Sequence, residues 1–271
     1  MKKSAALKAR LGTGRPVVGC WLHLFSPLAA EVVAQAGYDC VMIDLEHGAG
    51  SLMDAVSLMH AVQGRACAPL MRVPANDPVW IKRALDTGIA GVMVPAVNDA
   101  AEAEAAVAAC RYPPQGRRGV APTVVRASAY GTDWREYVDH AAKDLLVVCQ
   151  IETADGVRNA AEIAAVEGLD MVFVGPFDLS AALGWMGEPD HPEVRTRIDE
   201  VEQAAKAVGK RLGGIPTPGR TAEALFAAGY DLVLADFDVL LLRDAARDSV
   251  ARLRAAMAPE AGARRDDFRK G

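Results

Sequence analysis

Apolar runs of five to eight residues, rich in Val, Ile, Leu, Met and Cys and without clean alternation, recur eight times along the chain. A parallel strand buried on both faces reads this way. The runs cover residues 16–22, 40–44, 68–73, 91–95, 145–152, 171–175, 211–216 and 231–236. Helix-like stretches separate most of them. In SPLAAEVVAQAG, Ser26 is placed to cap a helix, Pro27 to open it and Gly37 to end it. The same rhythm recurs in DPVWIKRALDTG, DAAEAEAAVAACR, GVRNAAEIAAVEG, VRTRIDEVEQAAKAVG and TAEALFAAG. Eight strands alternating with helices predict an α/β protein, a (β/α)8 TIM barrel, with a doubly wound sheet as the alternative. Residues 1–258 read as a single barrel domain, its first fifteen residues a short helix over the barrel floor. Residues 259–271 read as a polar, disordered tail. Two connections are long, 97–144 and 179–210, and long loops in compact domains are usually functional.

Composition narrows the function. The 271 residues are 51% hydrophobic and 24% charged, enough to build an aliphatic core and too apolar for a disordered or fibrous chain. Thirty Lys plus Arg against 35 Asp plus Glu give a net charge of −5, without a dense basic block, which argues against nucleic acid as a partner. The five cysteines have no C-x-x-C spacing and read as buried thiols in a reducing cytoplasm. No membrane span and no secretory leader is legible. A cytoplasmic enzyme acting on small molecules is the expectation.

Barrel chemistry sits where strands end at their C-termini. His23 follows the first run, Asp44, Glu46 and His47 the second, Arg72 the third, Glu152 the fifth, Asp178 the sixth and Asp236 the eighth. Glu152 and Asp178 end neighbouring strands and form a hard oxygen pair suited to Mg²⁺ or Mn²⁺. Their structural alternatives are a salt bridge for Glu152 and a helix cap for Asp178. His47 lies three residues after Asp44 on a glycine-containing turn, and a histidine oriented by a carboxylate suits a general base. The alternative is a satisfied core histidine. Arg72 offers a permanent cation for a developing enolate or a carboxylate, or else an ion-pair partner for Asp44 or Glu46. In GPFD, the amides of Phe177 and Asp178 open a helix and can donate to an anion. None of the eight lysines ends a predicted strand, which disfavours an imine-forming lysine, and no G-x-G-x-x-G follows any strand.

Five motifs in order, DLEHG (44–48), RVPANDP (72–78), RYPPQGRRG (111–119), QIET (150–153) with GVRN, and FVGPFDLSAALG (173–184), resemble the class II pyruvate aldolases of the HpcH/HpaI type. The resemblance runs from about Gly19 to Leu240. It implies a carbon–carbon lyase that reversibly cleaves a 4-hydroxy-2-keto acid to pyruvate, or a related 2-keto acid, and an aldehyde. It also implies Glu152 and Asp178 as ligands of Mg²⁺, Mn²⁺ or Co²⁺, and His47 as base supported by Asp44 and Asp86. Arg72 would stabilise the enolate, and the amides of Phe177 and Asp178 would hold the donor carboxylate. Such enzymes are homohexamers, trimers of dimers with an exchanged C-terminal helix, here residues 241–257. His23, Phe177 and the stretch Pro216–Pro218 depart from the family pattern around the substrate, and Arg117, Arg118 and Arg126 in the long loop read as solvated or interface arginines, with a grip on an acidic acceptor as the alternative. Oxaloacetate decarboxylation, another metal-enolate or CoA-ester lyase reaction, and a catalytically idle 2-keto-acid-binding barrel are the alternatives.

Overall fold

The computed structural model describes residues 2–257. A first helix, α1 (Lys2–Gly12), leads into β1 (Val17–Leu22), α2 (Pro27–Ala36), β2 (Cys40–Asp44), α3 (Leu52–Ala61) and β3 (Ala68–Arg72). Then follow α4 (Pro78–Asp86), β4 (Gly91–Val94), α5 (Ala100–Cys110), a 3-10 turn (Arg126–Gly131), α6 (Trp134–Asp144) and β5 (Leu146–Ile151). The second half runs α7 (Ala154–Arg158), α8 (Ala160–Ala165), β6 (Met171–Val174), α9 (Pro176–Ala182), α10 (Pro192–Ala207) and β7 (Arg211–Gly214). It closes with α11 (Ala222–Ala227), β8 (Leu232–Phe237) and α12 (Asp238–Met257). All eight strands pair in parallel and in sequence order, with β8 returning to β1, so the sheet is a closed (β/α)8 barrel.

The strands pack on both faces. Inward residues such as Trp21, Met42, Leu70, Met93, Val148, Phe173 and Leu234 fill the barrel, while Cys20, Val41, Ile43, Met71, Cys149 and Val172 meet the helices. That double burial is why the strands read as continuous apolar runs. Helix α1 plugs the floor through Leu7 and Leu11. Its Lys3 donates to the carbonyls of Val62 and Cys67, and Lys8 pairs with Asp170 at 2.8 Å.

Two features differ from the sequence reading. The connection 97–144 contains a further helix, α6, which buries Tyr137 and Ala141. The stretch GVRNAAEIAAVEG is two short helices, because Asn159 leaves the helical conformation and donates Nδ2 to the Asn98 carbonyl. The expected tail, 259–271, lies outside the described residues. The thiols are buried and unpaired as expected.

Candidate active site

Side chains on a strand alternate, so two residues beyond each inward apolar residue comes the next inward position. From Trp21, Met42, Leu70, Val148 and Phe173, that step reaches His23, Asp44, Arg72, Gln150 and Gly175. The apolar filling of the barrel therefore ends in a polar layer at the C-terminal mouth. Asp44 and Arg72 are opposite one another in the β2–β3 register. Arg72 donates Nε to Asp44 Oδ1 at 2.9 Å and an Nη2 proton to Oδ2 at 2.6 Å, a bidentate pair in which Asp44 is fully buried. The backbone amides of Glu46 and His47 also donate to Asp44 Oδ1, and His23 Nε2 lies 2.8 Å from Oδ2. Burial alone raises the Asp44 carboxyl, but the hydrogen bonds from His23 and Arg72 outweigh it and hold the group well below the usual carboxylate range.

The rest of Arg72 faces across the mouth. Its guanidinium stacks 4.5 Å above the Trp21 ring, and Nη1 is 2.8 Å from Glu46 Oε2 and 3.5 Å from Gln150 Oε1. Gln150 passes the chain on by donating Nε2 to Glu152 Oε2. The other oxygen, Glu152 Oε1, accepts from the Ala96 amide at 2.8 Å. Ala96 has a φ of 51°, in the left-handed region unfavourable for a residue with a Cβ, and this turns its amide toward Glu152. Burial, and after it the charge of Asp178, push the Glu152 carboxyl up to about 7. Asp178 itself is exposed, in the first turn of α9, where no side chain caps the free amides. Two carboxylates that repel one another are relieved by a cation between them. Among the described residues no group of three or more His, Cys, Asp or Glu side chains is placed to hold a metal ion. Two interacting carboxylates, Glu152 and Asp178, are a hard oxygen donor set that suits an ion such as Mg²⁺, which keeps open positions for water and substrate.

This environment fixes a pH response. Between about pH 4.5 and about 7 the folded protein holds a proton on Glu152 that the unfolded chain has released. Metal-free protein should therefore lose stability across that window as pH rises, on the order of 3 kcal/mol. A divalent cation needs the ionised form, so its stabilising effect should grow over the same window and level off above it. Thermal unfolding with and without Mg²⁺ from pH 5 to 8 reads both trends.

Gly175 gives a second handle. A Cβ there would come 2.5 Å from Glu152 Oε2 and 2.6 Å from Gln150 Nε2, so the backbone of β6 passes where a larger residue would displace both groups. Gly175→Ala is expected to leave the barrel folded and to weaken Mn²⁺ binding about tenfold or more in titration calorimetry.

The structure corrects part of the sequence reading. His47 lies beyond the end of β2 with its side chain 57% exposed, and its Nε2 is 3.7 Å from Glu46 Oε2. Asp44 receives only the His47 amide, because its carboxylate points inward to Arg72 and His23. Spacing in the sequence does not show that two residues so close face different ways. Asp86 ends α4, at the far end of that helix from the mouth, and pairs with Arg118 at 2.7 Å, so one chain does not bring it to His47. Arg118 is itself buried, covered by Tyr112 and Tyr137, and is not solvated. Asp236 accepts from the Tyr38 hydroxyl at 2.6 Å on the helical side of the wall. Phe177 is exposed, leaving only its backbone in the first turn of α9. Gln150, Trp21 and the His23–Asp44 contact went unread, although the period of two from Val148 and Trp21 carries the inward placement of Gln150 and His23.

Comparison with known proteins gives the family. A family model described as HpcH/HpaI aldolase/citrate lyase matches residues 17–245. The 2-dehydro-3,6-dideoxy-6-sulfogluconate aldolase of Pseudomonas putida is 39% identical over 244 residues, covering 90% of this chain and 95% of that protein. The hydroxypyruvate/pyruvate aldolase of Chromohalobacter salexigens is 38% identical over 86% of this chain and 92% of its own length. A crystal structure of an HpcH/HpaI aldolase/citrate lyase family protein from Burkholderia cenocepacia J2315 superposes with a TM-score of 0.87 at 39% identity, covering 92% of this chain and 99% of that one. With nearly its whole barrel matched and the polar layer in place at the mouth, the chain belongs to the HpcH/HpaI aldolase/citrate lyase family and is a carbon–carbon lyase.

Proposed function

We propose that the protein is a divalent-metal-dependent aldolase that reversibly cleaves a 4-hydroxy-2-keto acid into pyruvate, or a related 2-keto acid, and an aldehyde. The observation that carries this reading is the continuous chain Asp44–Arg72–Gln150–Glu152 at the mouth, with Asp178 beside Glu152 in charge terms. Glu152 and Asp178 would hold the cation, Mg²⁺, Mn²⁺ or Co²⁺. When bound, it supplies Lewis acidity toward the keto acid, which lowers the energy of the enolate left when the C3–C4 bond breaks. The amides of Phe177 and Asp178 hold the donor carboxylate at the start of α9. Arg72 presents Nη1 to the enolate oxygen, a charge that matters most in the transition state. His47, the exposed imidazole of the mouth, takes the proton of the C4 hydroxyl in the cleavage direction.

Helix α12 supports an oligomeric reading. Leu241, Leu242, Leu253 and Met257 on it are exposed, and such a stripe is covered in a homohexamer, a trimer of dimers. The buried, unpaired thiols suit the cytoplasm, and no described helix is long and apolar enough to cross a membrane.

The test is pyruvate release, read through lactate dehydrogenase, from a panel of 4-hydroxy-2-keto acids and oxaloacetate. Release lost on EDTA treatment and restored by Mg²⁺ or Mn²⁺ is the expected result. Release from oxaloacetate alone, or no release from any member, overturns the aldol reading.

A further inference from the structure

His23 is the second imidazole at the mouth, and it is better anchored than His47. Its ring lies 6.0 Å from that of Trp21 and 5.5 Å from that of Phe237, centroid to centroid, and its backbone amide donates to Asp238 Oδ1 at 2.9 Å. Its Nε2 is 2.8 Å from Asp44 Oδ2, while Nδ1 is buried without a hydrogen-bond partner. An orphaned Nδ1 proton would be costly there, so the neutral ring carries its proton on Nε2 and donates it to Asp44.

That donation is one of several that Asp44 receives. Two guanidinium nitrogens and two backbone amides already serve this carboxylate. Its effect falls on Oδ2, which His23 shares with Arg72 Nη2. With Oδ2 approached from both sides, the carboxylate plane is fixed, and so is the guanidinium docked on it. The remaining nitrogen, Nη1, then points away from Asp44 toward Glu46 and Gln150.

We propose that His23 is a positioning residue for the lyase reaction, acting through Asp44 to hold Arg72 with Nη1 turned to the site of the developing enolate. The inference rests on the reading above that Arg72 stabilises that enolate. It predicts a loss confined to the transition state, because the ground-state keto acid places less charge on its oxygen.

Three variants test it in the intact protein. His23→Phe keeps a ring between Trp21 and Phe237 but has no donor, His23→Gln keeps a donor near the Nε2 position, and Arg72→Ala removes the group through which His23 acts. For His23→Phe, kcat for pyruvate release should fall about tenfold with KM nearly unchanged. Affinity for oxalate, a planar mimic of the pyruvate enolate, should fall by a similar factor, and affinity for pyruvate should not. His23→Gln should recover most of the loss. Metal-free melting curves of the two His23 variants should match, which separates positioning from folding. Unchanged kcat and oxalate affinity in His23→Phe, or a His23→Gln variant as impaired as His23→Phe, overturns the proposal while an inactive Arg72→Ala leaves the Arg72 reading standing. An active Arg72→Ala overturns both.

Discussion

Glu152→Gln is expected to lower kcat for pyruvate release by on the order of 10³-fold, since a neutral amide cannot replace a carboxylate ligand and the Lewis acid contributes several kcal/mol. The same variant should fold well. Its amide oxygen can still accept from the Ala96 N–H, as Glu152 Oε1 does. Without a charge at this position, the repulsion from Asp178 that helps push Glu152 up to about 7 disappears. Metal-free Glu152→Gln should therefore melt at or above the wild type at pH 8, and Mg²⁺ should no longer raise its melting temperature. One further change follows from the donor inventory. Gln150 now meets an amide where it met a carboxylate oxygen, and two NH₂ groups cannot face one another. If Gln150 turns to offer its oxygen, it gives up the 3.5 Å contact with Arg72 Nη1. A variant that binds Mg²⁺ normally, or keeps wild-type turnover, would remove Glu152 from the centre of the site.

Much of this site was legible because the barrel imposes a rule on the sequence. An inward strand position must be apolar inside the barrel and is free to be polar only at the rim, so Asp44, Arg72 and Glu152 stand out at the ends of apolar runs. What the rule does not give is who meets whom. Asp44 is three residues from His47 in the chain, yet its partner is Arg72, 28 residues away, because parallel register sets the two side by side. His23 reaches Asp44 across the β1–β2 pair, a contact fixed by tertiary packing. Asp86 shows the limit from the other side. The family resemblance placed it near the base, but α4 runs its length away from β3 before Asp86 occurs, and Arg118 from the long connection claims its carboxylate. Helix α6 was legible in the same way, since Trp134, Tyr137, Val138 and Ala141 recur at helical spacing, but it lies inside a connection read as one long loop.

The polar layer also explains how the site keeps its charges buried. Arg72 and Asp44 are each at most 5% exposed, where a lone charge is costly. They are tolerated because the guanidinium and the carboxylate meet in two parallel hydrogen bonds, and because Trp21 supplies a face for the guanidinium. His47 and Asp178, by contrast, lie exposed at the rim. On the reading proposed above, a buried electrophile lies below, and the exposed base and one metal ligand lie above it at the rim. The enolate needs charge held in place, whereas the aldehyde half must enter and leave.

Arg72→Lys is the sharper test of that division, because it keeps the charge and removes the geometry. A lysine ammonium is a point charge that cannot give Asp44 two parallel hydrogen bonds and still present a third nitrogen toward Gln150 and the substrate. If it settles on Asp44, the enolate oxygen loses its donor. If it reaches for the substrate, a buried carboxylate is left with His23 and two amides. Either way kcat should fall by about 10² to 10³-fold, the usual effect of removing a preorganised donor from a developing oxyanion. KM should change much less, because the lost interaction strengthens only as charge develops. Stability should fall as well, by less than the roughly 3 to 5 kcal/mol expected when one partner of a buried pair is removed outright. Guanidinium ions added to Arg72→Ala give a complementary reading: recovery of turnover with a small planar cation would mean that the fork itself is required. Turnover in Arg72→Lys within about threefold of wild type would mean that net charge at the mouth suffices, and the bidentate contact with Asp44 would then be a feature of folding alone.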